Sequence, residues 1–424
     1  MQGSAQSKPR DRFFRLVCKE KQTKSVEALL QAEGFESERL AFYPLARRLT
    51  KEPFALGSSL AAYFGYLYIQ DKSSMLPPLA LNPTPGDIVL DMCASPGSKT
   101  GLLSQLVGAQ GLVIANEPNP NRLQTLRQNL RQMNLCNVVT CRYKGQELPL
   151  NPGSIQHILL DVPCSGWGTV DKHPKVMDIW RQDRLGPLLS LQRELLKQAA
   201  RLLAPGGKLL YSTCTTNEQE NEEQIKWACS ELRLELLELS EVADFAFTRP
   251  TKLEGSLRVL EGESGGQGFF LACLQKTGQP TKELPQVNRG LPGEPLDKSY
   301  LAKTCAPCWN NLPPGQIRVF KQRLFFLPAQ AYSLLPQALN WQGFYLGRLG
   351  KNKISPDPRA RILLPERADA QSIVLDSVEE IKRLNTGQSL QLEQTAQNKG
   401  LYWKDLPLGW LTIKGKRALW SAVS

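Results

Sequence analysis

The chain has 424 residues, of which 41% are hydrophobic and 22% charged, and its formal net charge is +12 at pH 7. This length predicts two or three domains with ample material for a buried core, and the apolar content is that of a globular protein. No apolar run reaches the roughly 18 residues of a membrane span, and the basic N-terminus has no signal-peptide core, so we expect a cytoplasmic protein with no membrane partner.

The numbers and spacing of cysteine and histidine argue against a disulfide scaffold, a metal site and histidine-based catalysis. Ten cysteines in a chain of this length fall below the density of a disulfide scaffold, so reduced thiols are expected. Cys305 and Cys308 form the one CxxC pair, and without a second pair of ligands we predict no metal site. His157 and His173 are the only histidines, which leaves little room for histidine-based catalysis.

Positive charge is concentrated in the two ends of the chain. Residues 1–52 carry 11 basic and 7 acidic side chains, residues 53–275 carry 20 and 22, and residues 276–424 carry 21 and 11. A near-neutral body between basic flanks predicts appendages that meet the phosphates of a nucleic acid. The alternative is a solvated cationic surface without such a partner.

The predicted elements begin with a small αβ unit. Apolar residues between 13 and 16 predict a strand, and the segment KSVEALLQAEGF (24–35) predicts a short amphipathic helix that ends at Gly34. From Gly86 onward, short apolar runs alternate with helical periods: DIVLDM, KTGLLSQLV, GLVIANE, NRLQTLRQNLRQM, HILLDV, LQRELLKQAARLL and GKLLYSTC. This alternation predicts an α/β fold with a Rossmann-like, doubly wound sheet, whose ligands bind at the carboxyl ends of the strands.

The last third of the chain has a different pattern. A polar stretch rich in Pro and Gly, from about 276 to 300, predicts a linker. Beyond it, the pieces IRVFKQRLFFL, QGFYLGRLG and GWLTIKG predict a compact β-containing module. Trp403, Trp410 and Trp420 could stack on nucleic acid bases, but core packing is the interpretation we favour for them.

The first two strand ends carry the signature of a bound nucleotide. The first reads DMCASPGSKT (91–100), and its Gly-containing turn can bring backbone N–H groups close to a ligand. A Walker A loop is excluded because Ser98, not Gly, precedes Lys99. The second strand ends at Glu117, at an offset typical of an acidic side chain that binds ribose hydroxyls. Together they predict an adenosine-containing cofactor.

Two further strand ends each carry a cysteine. LDVPCSG contains Cys164 and YSTCT contains Cys214, and strand ends of one sheet can face the same cleft. An arbitrary cysteine is more often a small buried hydrophobe, and this alternative applies to both. The polar, Gly- and Pro-bearing surroundings favour a reactive pair.

DMCASPGSKT, LLDVPCSGWG and YSTCTTNEQENE together resemble the signature motifs of the Nop/Sun family of RNA (cytosine-5)-methyltransferases. The similarity runs from about Tyr63 to Leu274. The length, the basic N-terminal unit and the tail GLYWKDLPLGWLTIKG are most similar to the bacterial 16S ribosomal RNA branch, whose tail is a PUA-like domain. The resemblance implies an N-terminal RNA-binding unit (1–70), an S-adenosylmethionine-dependent methyltransferase domain (71–276) and a C-terminal, PUA-like RNA-binding region (277–424).

The resemblance also implies roles for individual residues. The cofactor S-adenosyl-L-methionine would be bound by Cys93, Ala94, Ser95, Pro96, Gly97, Ser98, Lys99, Glu117 and Asp161. Cys214 would be the catalytic nucleophile, and Cys164 would assist release of the product. Asp161 would lie beside both cofactor and target base, and Lys99 would reach into the catalytic pocket. In departures from the family, Lys144 replaces an Asp near the adenine, and Glu261 replaces a His.

These features predict methylation of carbon 5 of a specific cytosine in RNA through a covalent cysteine–cytosine intermediate, with 16S ribosomal RNA as the preferred substrate. A thiolate that adds at carbon 6 breaks the conjugation of the ring and makes carbon 5 nucleophilic. The expected partner is ribosomal RNA or the small ribosomal subunit, and no obligate protein partner is implied. The same reaction on tRNA, or a catalytically inactive RNA-binding assembly factor, are the alternatives left open.

Overall fold

The computed structural model describes residues 11–166, 185–261, 264–278, 293–296, 309–334, 339–350, 354–370, 372–393 and 399–421. The CxxC pair of Cys305 and Cys308 lies outside these ranges. Within them, no helix has both the length and the apolar character needed to cross a membrane. The side chains of the described part also form no group of three or more Cys, His, Asp or Glu residues that could hold a metal ion.

The N-terminal unit is a four-stranded antiparallel sheet with two helices. Its elements are β1 (Phe13–Leu16), α1 (Thr23–Ala32), β2 (Glu36–Arg39), β3 (Ala46–Lys51), α2 (Leu60–Tyr63) and β4 (Leu67–Ile69). The strands follow the order β2-β3-β1-β4. The predicted strand and helix are both present, and Gly34 follows α1 with a φ of +86°. Helix α1 forms because its apolar residues recur at helical spacing and bury one face: Val26, Leu29 and Leu30.

The central sheet has five parallel strands with helices between them. Its elements are α3 (Leu76–Leu81), β5 (Ile88–Asp91), α4 (Ser98–Val107), β6 (Leu112–Asn116), α5 (Pro120–Met133), β7 (Val138–Cys141), β8 (Ile155–Asp161), α6 (Leu185–Leu202), β9 (Leu203–Thr213) and α7 (Glu222–Glu231). The parallel strands follow the order β9-β8-β5-β6-β7. Every predicted segment of this region corresponds to one of these elements, so the predicted α/β doubly wound fold is confirmed.

Four antiparallel strands extend the sheet beyond β9: β10 (Leu234–Leu237), β11 (Phe247–Thr248), β12 (Leu257–Val259) and β13 (Phe269–Lys276). Strand β13 pairs with β9, and both β10 and β12 pair with β13. The strand β13 is buried along six of its eight residues, which explains its continuous apolar sequence FFLACL. These strands cover the edge of β9, the strand that leads into the YSTCT motif.

The C-terminal part contains two further sheets. The first comprises β14 (Glu294–Pro295), β15 (Gly315–Phe320) and β16 (Arg323–Pro328), and is completed after α8 (Ala331–Leu334) and β17 (Trp341–Gln342) by β18 (Phe344–Leu349) and β19 (Ile354–Pro356). Strand β17 itself pairs antiparallel with β7 and so joins the central sheet. The second comprises β20 (Ile373–Leu375), α9 (Val378–Asn385), β21 (Leu390–Gln391), β22 (Lys399–Trp403), β23 (Leu406–Lys414) and β24 (Arg417–Leu419). The predicted β-rich C-terminal region is therefore confirmed, while its PUA-like character stays a prediction.

The N-terminal unit and the second C-terminal sheet share one apolar core. From the N-terminal side it includes Phe14, Leu16, Val26, Leu29, Leu30 and Phe64, and from the C-terminal side Ile381, Leu384, Leu401, Trp403, Leu411, Ala418 and Trp420. The ring of Trp420 lies 5.2 Å from that of Phe64, centroid to centroid, and its Nε1–H donates to the Tyr63 hydroxyl at 2.8 Å. This core joins the two flanks of the chain. The domain boundaries predicted at residues 70 and 277 stay a prediction.

The three tail tryptophans are core residues. Trp403 and Trp410 are 2% and 3% exposed, and Trp420 is 8% exposed. The indole N–H groups of Trp403 and Trp410 donate to the carbonyls of Asp376 and Ala360, at 3.2 and 3.0 Å. Burial and satisfied hydrogen bonds confirm the packing interpretation, and the idea that these rings stack on bases is wrong.

A buried arginine ties the flanks to the central sheet. The Arg361 guanidinium donates to the carbonyls of Phe64 and Gly65 in the N-terminal unit, at 2.5 and 3.1 Å, and to those of Gln132 and Met133 at the end of α5, both at 3.3 Å. Burial lowers the pKa of Arg361. Gly65, with a φ of +71°, permits the contact, since a Cβ there would lie 1.8 Å from the Gln132 carbonyl oxygen.

Candidate active site

Side chains of α5 contact and stabilise the turn between β5 and α4. Gly97 caps α4 with a φ of +106°, and a Cβ at this position would lie 2.9 Å from Leu126 Cδ1. The Arg122 Nη2–H donates to the Ser95 carbonyl at 3.0 Å, and the Asn129 amide donates to the Pro96 carbonyl at 2.8 Å. This close approach requires glycine at residue 97. The segment predicted to line the cofactor is thus a rigid turn at the carboxyl edge of the sheet.

Lys99, in the first turn of α4, reaches across to the end of β8. Its Nζ lies 2.7 Å from Asp161 Oδ2, and the Ser212 hydroxyl donates to Asp161 Oδ1 at 2.7 Å. The ammonium also lies 5.0 Å from the centroid of the Phe269 ring. Burial opposes the charge on Lys99, but Asp161, followed by Cys214, raises its pKa above the usual value. Lys99 is therefore an ammonium fixed beside the catalytic cysteine predicted from the sequence.

Cys164 and Cys214 lie together in one half-buried cleft. Their Sγ atoms are 3.3 Å apart, and both cysteines are free thiols. A hydrogen bond from the Cys164 thiol, opposed by burial and reinforced by Lys99, lowers the pKa of Cys214. Donation of that same bond, together with burial, raises the pKa of Cys164. The two thiols are thus unequal: the pKa of Cys214 is lowered and that of Cys164 is raised.

The side of the edge that is predicted to bind the cofactor carries several carboxyl groups. Asp91 is buried, accepts from the Thr100 hydroxyl at 2.7 Å, and has its pKa raised to about 7 by burial and by the nearby Asp161. The pKa of Cys93 is raised by burial and then by the carboxylates of Asp91, Asp161 and Glu117. A group that sits beside Cys93 therefore experiences the field of three carboxyl groups.

Glu117 follows β6 as predicted, in a buried position. Its Oε1 accepts from the Asn119 backbone N–H at 2.9 Å, and Arg122 Nε lies 3.7 Å from its Oε2. By contrast, Lys144 extends to solvent, where its Nζ lies 3.1 Å from Glu147 Oε1. Glu261, the other departure from the family, lies beyond the end of β12 and is exposed. Neither departure lies among the residues that surround the two cysteines.

A buried glutamate, which no sequence motif singles out by itself, joins the two cysteine loops. Glu220 is fully buried and accepts from the Ser165 N–H at 2.9 Å and from the Gln192 amide at 3.0 Å. The Ser165 hydroxyl donates to its other oxygen, and Asn217 approaches the same oxygen at 3.4 Å. Since every partner is a donor, the site fits a carboxylate and holds the loops that carry Cys164 and Cys214. Only the acidic run after YSTCT could have signalled it.

Asn116 plays the corresponding role at the cofactor side. Its amide donates to the carbonyls of Met92 and Tyr143, at 3.1 and 2.9 Å, and its Oδ1 accepts from the Tyr143 N–H at 3.0 Å. The Cys141 thiol lies 3.5 Å from the same oxygen. One buried side chain thus fixes the ends of β5, β6 and β7 relative to each other.

Comparison with known proteins finds methyltransferases, which is consistent with the site at this edge of the sheet. Residues 78–275 match the family model described as "16S rRNA methyltransferase RsmB/F". The chain is 37% identical over 234 residues to "Ribosomal RNA small subunit methyltransferase F" of Pectobacterium atrosepticum, covering 54% of this chain and 48% of that protein. It is 38% identical over 229 residues to the protein of the same name from Shewanella amazonensis, covering 52% and 48%. The chain spans about half the length of the curated relatives it matches.

Solved structures show the same similarity. A methyltransferase homolog protein from Pyrococcus horikoshii is 35% identical, with a TM-score of 0.54 over 63% of this chain and 87% of that chain. NSun6 from Pyrococcus horikoshii with SFG is 21% identical, with a TM-score of 0.57 over 64% and 91%, which shows the fold alone. The family resemblance drawn from the three motifs is confirmed for residues 78–275, which match the RsmB/F methyltransferase family.

Proposed function

We propose that the chain is an S-adenosylmethionine-dependent RNA methyltransferase that modifies carbon 5 of a cytosine in the ribosomal RNA of the small subunit. The names of the curated relatives support the substrate class. One observation carries the chemistry: the Cys164 thiol lies 3.3 Å from Cys214, whose pKa is lowered, beside the ion pair of Lys99 with Asp161. An inactive RNA-binding factor would have no need of this arrangement.

The residues at the carboxyl edge fit S-adenosyl-L-methionine. The cofactor carries a positive sulfonium, and the carboxyl groups of Asp91, Asp161 and Glu117 give the surroundings of Cys93 a negative field that suits it. We propose that residues 93–99 line the cofactor and that the Glu117 carboxylate accepts from the ribose hydroxyls. When bound, the cofactor supplies the methyl group for carbon 5.

Cys214 is the proposed nucleophile. Its thiolate attacks carbon 6 of the cytosine, and the new S–C6 bond moves electron density to carbon 5 and the ring nitrogens. The Cys164 S–H and the Lys99 ammonium stabilise the thiolate before attack. Lys99 and Asp161 are then the charged groups that face the ring, and each Asp161 oxygen keeps a free lone pair that can accept from the cytosine amino group.

Cys164 is the proposed residue for product release. After methyl transfer, a water molecule acting as base takes the proton from carbon 5, and the electron pair of that C–H bond forms the C5–C6 double bond as the bond from carbon 6 to the Cys214 sulfur breaks. Cys164 lies at the Cys214 sulfur, where its S–H can donate a hydrogen bond to the departing thiolate and so make it a better leaving group. Its raised pKa suits a group that keeps its proton while it donates this bond.

The two cysteines should therefore fail in different ways. In Cys214→Ala, neither methyl transfer nor a protein–RNA adduct can form, because the attacking thiolate is absent. In Cys164→Ala, attack and methyl transfer can proceed but elimination is slowed, so a denaturation-resistant adduct should accumulate. The measurement is a denaturing gel of each variant after incubation with substrate RNA and S-adenosyl-L-methionine.

Cys141→Ala is the control, since this thiol lies at the same sheet edge without a reactive partner. An adduct with Cys214→Ala and none with Cys164→Ala would reverse the two roles. Full turnover by both variants would exclude the covalent mechanism. Running the assay in parallel on small ribosomal subunits and on bulk tRNA separates the proposed substrate from the tRNA alternative.

A further inference from the structure

A long groove separates helix α5 from the first C-terminal sheet. It consists of two cavities, of about 880 and about 1240 Å³. The two cavities share six of their lining residues: Pro120, Arg127, Arg323, Phe325, Gln342 and Gly343. They are therefore one continuous surface, which we call the α5–hairpin groove after the helix on one side and the β15–β16 hairpin on the other.

The groove is strongly cationic. Six basic side chains line it: Arg127, Arg131, Arg142, Lys321, Arg323 and Arg348. The acidic residues in the lining are Asp357 and Glu294, and the Asp357 carboxylate is paired with Arg131. Within the described part of the chain, Arg323, Arg348 and Lys321 form no ion pair and are exposed. Several positive charges thus face this groove without compensation.

Two of these charges are held against each other. Arg323 of β16 lies directly opposite Arg348 of β18 in the antiparallel register. Side chains in such a pair are only about 5 Å apart at Cβ, and like charges in direct opposition destabilise a sheet. A bound anion would turn this repulsion into attraction.

The hairpin that carries Arg323 is itself strained. Its two turn residues, Lys321 and Gln322, have φ values of +43° and +66°. Hairpin turns with two positive φ values normally use Asn and Gly, because long side chains are disfavoured in this conformation. The turn therefore places Lys321 next to the opposed arginines in a backbone conformation that is unfavourable for lysine. Backbone strain of this kind is typical of functional surfaces.

We propose that the α5–hairpin groove binds the phosphate backbone of the RNA substrate, with the Arg323–Arg348 pair as its main contact. This inference rests on the proposed function, which supplies RNA as the polyanion. The partly buried Tyr345 in the lining offers aromatic surface for an unstacked base beside the phosphates.

The groove lies beyond the edge of β7, four strands from β9, which leads to Cys214. At about 4.8 Å per strand, β7 itself lies roughly 19 Å from β9, and the Arg323–Arg348 pair belongs to a separate sheet beyond β7. The groove therefore positions a flanking part of the RNA and does not contact the target base. Its loss should weaken RNA binding while leaving the chemistry at Cys214 intact.

The test uses the full chain and a labelled single-stranded RNA oligonucleotide, with binding followed by fluorescence anisotropy. In Arg323→Gln/Arg348→Gln, we expect the dissociation constant for RNA to rise about tenfold or more at low salt. Between about 50 and about 200 mM KCl, the slope of log K against log salt should become shallower by about two, one for each lost phosphate contact. Arg323→Lys/Arg348→Lys keeps both charges and should keep the wild-type slope.

Lys197→Gln/Lys226→Gln is the matched control, because it removes two exposed charges from α6 and α7 and should leave the slope unchanged. RNA affinity of the Gln pair equal to wild type would overturn the groove assignment while the proposed function stands. A loss of RNA affinity in Lys197→Gln/Lys226→Gln as large as that in Arg323→Gln/Arg348→Gln would also overturn the groove assignment. If the wild-type chain binds RNA and methylates none, the proposed function fails instead.

Discussion

Two cysteines at the same edge of the central sheet have opposite chemical properties. Cys141 ends β7 and Cys214 follows β9, so both stand at the carboxyl ends of parallel strands. Burial raises the pKa of Cys141 to about 12, whereas the Cys164 thiol and Lys99 lower the pKa of Cys214. Strand-end position is thus not what makes a thiol nucleophilic in this protein.

The difference lies in what each neighbouring network is built to do. Around Cys141, the side chain of Asn116, which ends β6, bonds to backbone groups that follow β5 and β7 and offers no charge. Around Cys214, an ammonium and a second thiol converge on the sulfur, and Glu220 holds the loops that carry both cysteines. One network only fixes the sheet edge, and the other fixes it in a form that stabilises a thiolate.

The largest effect should come from removing the charge beside Cys214. In Lys99→Met, the pKa of Cys214 should rise because the neighbouring ammonium is lost, so methyl transfer near pH 7 should fall about tenfold. The thiolate exists above its pKa, so the acid limb of the pH–rate profile should move to higher pH. Lys144→Met, which removes an exposed lysine, is the control. An unshifted acid limb would show that Lys99 does not act on Cys214.

A smaller effect should follow from changing the residue that positions the two cysteines. Glu220→Gln places an amide NH2 against a group of donors, which should cost about 1–3 kcal/mol of stability. The readout specific to positioning is the rate of Cys214 alkylation by iodoacetamide against pH, whose midpoint should move upward as the Cys164 contact loosens. Glu222→Gln, a buried neighbour paired with Arg258, should lose stability without moving that midpoint. Equal midpoints in both variants would make Glu220 purely structural.

The smallest effect is expected at Cys141. Cys141→Ala removes a buried sulfur and its weak contact with Asn116, so stability should fall by about 1 kcal/mol. Methyl transfer and the alkylation profile of Cys214 should both be unchanged within about twofold. Thermal unfolding and the same alkylation assay measure the two quantities. A clear loss of Cys214 reactivity would mean that the two networks are coupled across the sheet.

Local pattern was enough to predict the central sheet. Strands β5 to β9 and helices α4 to α6 have runs and periods that a short window reveals, because each packs on its sequence neighbours. Cys164, Cys214, Lys99 and Asp161 could be predicted because their motifs stand at strand ends that the fold brings together. The geometry confirms that these four side chains meet, while their catalytic roles stay proposals.

Long-range pairings could not be predicted from the same patterns. Trp341 and Gln342 carry no signal that they pair with β7, since register across a distant segment leaves no local period. Glu220 stands in an acidic run, a pattern that predicts a solvent-exposed side chain. It is nevertheless fully buried, because Ser165, Gln192 and Asn217 supply its hydrogen-bond donors. Burial of a charge is decided by partners far away in sequence.

The core shared by the first and last elements sets an order of events during synthesis. Phe14 and Trp420 belong to the same apolar cluster although they stand near opposite ends of the chain. As the polypeptide leaves the ribosome, β1 and α1 emerge before the central sheet, but the core that they share with β22 to β24 is not complete until those strands have been translated. The central sheet needs no such wait. Strand β1 and helix α1 are therefore synthesised before the central sheet but complete their packing after it.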